Sequence, residues 1–423
     1  MKVSSFFKRA AIVLLLPVFC FAKSNAEELI FSDSAQISLL TCSPGKIAYE
    51  KFGHTAIRVW DQSMGIDVVF NYGLFSFYTN NFYYKFVKGE TDYMLGATTT
   101  DAFLPEYAHR NSSVTEQVLN LTAKEKENLL QALILNYQPQ NRVYRYNFVY
   151  DNCSTRPRDL IMNSVDGVVI FPKTNSVDKT FREYIETYVG WNTWLMFGID
   201  IVFGSVSDVY VNKMTTMFLP EILMDEFKDA IVVLPNDSAH YLVKDENILV
   251  HQNGKKVSKV EGNLSPLLRP IGISTLFLLL GILITYWDLK RKRRNKIFNF
   301  ILLLVSGLTG LIAFYLAFFS LHPMVQSNYN LLWLNPLNIV AAFIIWYRPW
   351  YRVLFYYFII YILMLLGALA VFALNVQSVN VAFIPLIVLL IVRSMHWLIN
   401  RRNSQFKIKI KNLLKKRSAP KFH

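Results

Sequence analysis

Two rhythms of apolar and polar positions divide this chain. Up to residue 268 the apolar runs are short and broken by turn residues, and from 271 to 399 they are long and almost uninterrupted. In the first part ISLLTC (37–42), AIRVW (56–60) and DVVFNYG (67–73) are apolar or alternating runs separated by Ser43-Pro44-Gly45 and Met64-Gly65, the pattern of strands joined by turns. Residues 123–137 place Leu129, Leu130, Leu133 and Ile134 on one side of a predicted helix, with Thr122 as its cap and Glu125 three residues on. VYRYNFVY (143–150) alternates like a strand and runs into DNCSTRPRDLIMNSV, so Cys153 falls where a strand turns into a helix. Residues 176–235 are expected to be mostly helical, with YVGWNTWLMFGIDIVFG lying on a membrane surface, and 240–260 to form a small hairpin around Asn253-Gly254.

The second part predicts five membrane spans near 271–287, 297–319, 331–347, 353–374 and 381–399. Composition agrees, because 53% hydrophobic residues is too apolar for an ordinary soluble protein. The N-terminus has Lys2, Lys8 and Arg9, an apolar stretch from Ala10 to Ala22, and Ser24-Asn25-Ala26. That pattern predicts a secretory signal cleaved after Ala26, taking Cys20 with it; an uncleaved anchor is the alternative. The expected division is a signal peptide (1–26), a soluble domain (27–268), a membrane domain (269–400) and a basic tail (401–423).

Charge orients these parts. Lys290 to Arg294, Arg348, Arg352 and the tail share one side of the membrane, while the loops around 320–330 and 375–380 contain no Lys or Arg. Positive residues remain cytoplasmic, so the soluble domain is expected outside and the C-terminus inside. Much of the net charge of +14 is then accounted for by topology and anionic lipid, with no support for nucleic-acid binding. The span centres lack ionisable residues, which argues against a pump or ion carrier. His322, Asn328, Asn330, Asn335 and Asn338 gather at the outer interface beside Trp333. They read either as helix caps with an aromatic belt residue or as a lipid or substrate contact.

Three roles are open to Cys153: half of a disulfide with Cys42, an inert core residue, or a nucleophile. A helix N-terminus favours a thiolate, and its free N–H groups are suited to an oxyanion. A nucleophile also needs a base. Of the histidines in the soluble part, His54 follows Phe52-Gly53 and opens the strand HTAIRVWD, whereas His109, His240 and His251 read as surface or structural.

The blocks LLTCSPGKIAYEKFGHTAIRVWD, VFNYGLFSF and YRYNFVYDNCSTRPRDLI resemble the periplasmic domain of the Lnb family, the lipoprotein N-acyltransferases of Bacteroidota, and LHPMVQSNYNLLWLNPLN resembles that family's membrane segment. The resemblance implies an α+β, papain-like (NlpC-type) periplasmic domain followed by about five transmembrane helices in the inner membrane. It implies Cys153 as nucleophile and His54 as base, acting without metal or cofactor on phospholipids and diacylated lipoproteins. Asn71 is the expected orienting group, with Tyr72 as its rival and as a substrate contact. Arg156, His322, Asn330 and Asn335 are further expected substrate contacts. Two other readings stay open: a membrane-anchored peptidoglycan cysteine peptidase with the same dyad, and a non-enzymatic scaffold stapled by a disulfide.

Overall fold

The computed structural model describes residues 31–399 apart from 33, 76, 77, 79, 173–178 and 253–263. The expected signal peptide, the basic tail and the Asn253-Gly254 turn lie outside the described residues.

The soluble part opens with β1 (Gln36–Cys42), β2 (His54–Asp61) and β3 (Ile66–Leu74) as an antiparallel meander. Then come α1 (Phe82–Lys88), β4 (Asp92–Thr99), α2 (Thr100–Arg110), β5 (Val114–Leu119), α3 (Ala123–Tyr137), β6 (Val143–Arg145) and α4 (Thr155–Ser164). Next are β7 (Val168–Ile170), α5 (Phe181–Val189), α6 (Trp194–Val202), α7 (Lys213–Thr216), α8 (Pro220–Lys228), β8 (Ile231–Val233), β9 (Ala239–Tyr241) and β10 (Val243–Val250). Seven strands form one sheet in the order β10-β5-β1-β2-β3-β4-β6, and β7-β8-β9 form a second.

The main sheet is covered on both faces. Ile37, Leu39, Ile57, Phe70 and Tyr72 meet Leu129 and Leu133 of α3, Ile161 of α4 and Phe227 of α8. Leu40, Ala56 and Val69, from the alternate positions, meet Phe103 and Tyr107 of α2. The capping box of α3 forms as its sequence suggests, with Thr122 and Glu125 each bonding the other's backbone N–H. One expectation fails locally. The strand expected over 143–150 ends at Arg145, because the Asn147 side chain accepts from the Val149 and Tyr150 amides and turns the chain. Of the stretch expected to form a hairpin over 240–260, the described part places β9 beside β8 and β10 beside β5 at the edge of the main sheet.

Among the described residues three stretches are long and apolar enough to cross a membrane: α9 (Pro270–Arg291), α10 (Lys296–Phe319) and Arg348–Ala373, of which Tyr351–Ala373 is α12. The third expected span is not one helix. It consists of a 3-10 turn at Tyr329–Leu332 and α11 (Leu337–Ile344), and eight residues rise only about 12 Å against a hydrocarbon core of about 30 Å. The broken segment still runs the length of the bundle, since Tyr329 bonds Gln377 at one end and Trp346 packs on Phe300 near the start of α10 at the other. Side chains of other segments satisfy part of its irregular backbone, since the Tyr361 hydroxyl donates to Trp333 O and the Tyr329 N–H donates to Gln377. The Asn338 side chain ties the segment to its neighbours by donating to Ser306 and Tyr361 and accepting from Tyr357. A last apolar helix, α13 (Phe383–Ile399), completes the bundle.

Soluble and membrane parts are joined through α6. Phe197 packs against Phe383, and the carbonyls at the C-terminal end of α6 accept from outer-loop side chains. Asn330 reaches Asp200 O at 2.7 Å, Asn328 reaches Ile201 O at 2.9 Å, and Gln377 reaches Phe203 O at 3.3 Å. A helix end otherwise leaves these acceptors orphaned. Beneath them the buried Arg182 pairs with Asp200 at 2.6 Å and Asp208 at 2.7 Å, and Asn380 bonds the second oxygen of Asp200.

Candidate active site

The site lies at the open end of β2 and β3. The β2–β3 ladder begins at Ile57↔Phe70, so the first residues of β2 are unpaired on that side. Extending the register puts Gly73 opposite His54 and Asn71 on the diagonal, on the same face of the sheet. The His54 Nε2 meets Asn71 Oδ1 at 2.5 Å, and the other ring nitrogen is left to hydrogen-bond the Cys153 thiol. Tyr72, one position on, points the opposite way into the core and is 2% exposed; period-two alternation thus separates the two rivals.

Two glycines make this approach possible. Gly53 has φ +77°, and a Cβ there would stand 2.6 Å from Cys42 O. Gly73 has φ +89°, and a Cβ would come within 3.5 Å of the Cys153 Cβ, over the thiol–imidazole pair. Both demand a residue without a side chain.

Cys153 stands just before Ser154, the N-cap of α4, and Asn152 builds the turn. Its Oδ1 accepts from the Ser154 and Thr155 amides at 2.8 and 2.9 Å, and its Nδ2 donates to Phe148 O and Phe218 O. The first amides of the helix are therefore already engaged, which corrects the expectation that they hold an oxyanion. The Cys153 N–H itself is free of these bonds. The Thr55 N–H and the Ser154 hydroxyl both bond the sulfur.

Electrostatics favour a charged pair. Burial alone would raise the Cys153 pKa, but the His54 charge and hydrogen bond, with Thr55 and Ser154, hold it below the ordinary thiol value. Burial likewise works against a charged His54, yet the adjacent sulfur and the bond to Asn71 raise its pKa. Both shifts run in the direction of a thiolate–imidazolium pair, with the ring oriented by the Asn71 amide. Burial, reinforced by the neighbouring sulfur, pushes the Tyr93 phenol up to about 12 and raises Tyr146 well above the ordinary phenol value, so both hydroxyls stay neutral.

The pair sits in a cavity of about 530 Å3. Phe52, Phe75, Phe86, Phe148 and Phe218 make its walls largely aromatic, and Glu50, Glu106 and Arg110 line one region. His322, just beyond the outer end of α10, also lines it and hydrogen-bonds Phe86 O at 2.7 Å. Other expected contacts lie elsewhere. Arg156 is paired with Asp151 and stands 3.5 Å above the Tyr144 ring. Asn330 is 1% exposed and holds α6, while Asn335 accepts from the Leu337 N–H at the start of α11. Neither lines the cavity, and their polar atoms are engaged elsewhere, Asn330 also accepting from Trp333 Nε1 and Asn335 donating to the Met364 sulfur.

Cys42 and Cys153 are both free thiols. Burial raises the Cys42 pKa far above the thiol range, although Tyr107 hydrogen-bonds it, which makes Cys42 a poor nucleophile. Among the described residues no group of three or more His, Cys, Asp or Glu gathers as a metal site. Gly73, Asn152 and Thr55 went unnoticed as site residues. The β2–β3 register would have revealed Gly73, but nothing local marks Thr55, whose backbone does the work.

Fold and site together define a membrane protein whose soluble α+β domain holds a thiol–imidazole–amide constellation. Two models of one family match: the Lnb N-terminal periplasmic domain over residues 23–184 and the Lnb transmembrane domain over residues 261–404. The chain belongs to the Lnb family, with a periplasmic N-terminal domain and a transmembrane domain. No curated protein and no solved structure matches it.

Proposed function

We propose that this protein is a lipoprotein N-acyltransferase of the inner membrane. The Cys153 thiolate attacks the carbonyl carbon of a phospholipid ester, forming a C–S bond and an oxyanion that the Cys153 N–H is placed to receive. The oxyanion collapses and breaks the bond to the glycerol oxygen, which takes its proton from the His54 imidazolium and leaves as a lysophospholipid. The neutral α-amine of a diacylglyceryl-cysteine lipoprotein then attacks the thioester. His54 takes the amine proton, the sulfur is expelled as thiolate, and the starting ion pair returns. Asn71 keeps the ring turned toward the sulfur throughout.

The observation that carries this reading is the place of the pair, in an aromatic-walled cavity that shares His322 with the membrane domain. A peptidoglycan peptidase with the same dyad would need a groove for a polar strand and no such wall. The C-terminus is cytoplasmic in this reading, so a reporter fused after Pro420 reports cytoplasm and one near Gln326 reports periplasm. The deciding experiment incubates purified protein with phospholipid alone. The Cys153 peptide gains the mass of one acyl chain, labile to hydroxylamine, and adding a diacylated lipopeptide discharges it to an N-acyl product. An unmodified Cys153 with active protein overturns the proposal.

A further inference from the structure

The seven residues of α1 carry two different faces. Phe82 is buried and stacks on Phe75, and Phe86 lines the cavity. Tyr83 and Tyr84 are 74% and 58% exposed, Val87 is exposed beside them, and none of the three lines the cavity. A surface this apolar on so short a helix is costly in water and natural at a bilayer interface, where aromatic rings sit at headgroup level.

The position of α1 relative to the membrane helices is fixed by hydrogen bonds. The Leu321 N–H donates to Lys88 O at 2.8 Å, the Ser320 hydroxyl to Val87 O at 2.9 Å, and the His322 ring to Phe86 O at 2.7 Å. Ser320 directly follows α10, and Tyr84 hydrogen-bonds Tyr315 within it. The last residues of α10, Phe318 and Phe319, are themselves exposed. The outer face of α1 therefore continues the lipid-facing surface of a membrane helix, while its inner face is a wall of the Cys153 cavity. Lys85 stands on the same short helix, as does Lys88, which is paired with Glu90 at 2.6 Å; a lysine ammonium at this level is placed for the phosphates of a leaflet.

We infer that α1 is the loading element of the site: its outer face lies in the headgroup layer of the outer leaflet, and a phospholipid acyl chain from that leaflet passes along Phe86 and Phe75 to Cys153. Delivery to Cys153 rests on the acyltransferase reading, whereas the leaflet contact does not. The structure commits the passage to a leaflet lipid because the helix that walls the cavity is bonded to the end of a membrane span.

The test uses the full chain in phosphatidylethanolamine/phosphatidylglycerol nanodiscs. A fluorophore attached at Tyr83→Cys in a Cys153→Ser background, so that the reactive thiol is not labelled, is quenched more strongly by lipids carrying a shallow spin label than by the same label in the headgroup-free aqueous phase. Stronger aqueous quenching overturns the leaflet contact whatever the enzyme does. In the second arm Tyr83→Glu combined with Val87→Glu lowers acylation of Cys153 from vesicle phospholipid by at least about tenfold, while its reaction with water-soluble p-nitrophenyl butyrate changes less than about twofold. The pair Tyr83→Trp and Val87→Leu keeps both rates. Equal loss of both rates in the Glu variant, or loss of neither, overturns the loading role. A wild-type protein in which neither ester modifies Cys153 overturns the acyltransferase reading, and with it delivery to Cys153, leaving the quenching arm to decide the leaflet contact by itself.

Discussion

Two buried polar clusters of the soluble domain, one around Arg182 and one around Cys153, are built to opposite rules. Around Arg182 the groups are matched: two carboxylates take the guanidinium, Asn380 donates to the second oxygen of Asp200, and the Ser378 N–H adds a bond to an Asp208 oxygen that Arg182 also holds. Around Cys153 the partners are few, all on one side, and the other side is a cavity. A satisfied cluster holds two parts of a fold together, and a cluster left open on one side can exchange a proton with something that enters. The comparison also explains why the outer-interface asparagines resisted reading from sequence. Asn328 and Asn330 belong to the closed cluster, and only His322 of that group belongs to the open one.

The comparison breaks most sharply at the sulfur. Replacing Cys153 with Ser should lower acyl transfer by about a thousandfold or more while leaving the thermal midpoint almost unchanged, measured by lipopeptide mass spectrometry and by calorimetry. Retained transfer within a few-fold would remove the open cluster from the chemistry. His54→Ala should cost a similar factor, since the two groups act as a unit, and should also move the pH dependence. With its pKa held low, wild-type Cys153 stays alkylatable below the ordinary thiol range, and reactivity disappears as pH falls through that lowered value. The raised His54 pKa keeps the imidazolium present above its usual range, and its deprotonation sets the alkaline limb of acyl transfer. Without His54, burial prevails and the iodoacetamide profile shifts to higher pH; an unshifted profile would refute the ion pair.

Asn71→Ala should be milder, about 10- to 100-fold in transfer, as for other hydrogen bonds that orient a working imidazole. The closed cluster should respond in the other currency. Arg182→Ala leaves two buried carboxylates unpaired and should destabilise the fold by about 3–5 kcal/mol in chemical denaturation. The Cys153 alkylation rate at a temperature where the variant remains folded should stay at the wild-type value. The smallest effect is expected at Thr122→Ala, which removes one half of a capping box far from either cluster: about 1 kcal/mol of stability and no change in transfer.

Sequence alone determined the elements whose signals are local. The α3 helix and its cap, the first three strands, and the apolar segments of the membrane domain follow from period and from capping chemistry that act within a few residues. It also singled out Cys153 and His54, because a cysteine at a strand-to-helix turn and a histidine after a glycine are rare local events. What only tertiary structure decided is pairing across distance. Asn71 rather than Tyr72 meets His54 because the β2–β3 register and the pleat put it on that face. Asn152 claims the amides that looked free, and β10 abandons its neighbour β9 for β5. The third span breaks where Tyr361 of α12 and the distant Gln377 supply partners for a backbone that no local pattern describes. Each of these depends on which donor finds which acceptor once distant segments are in contact, and a linear pattern carries no record of that.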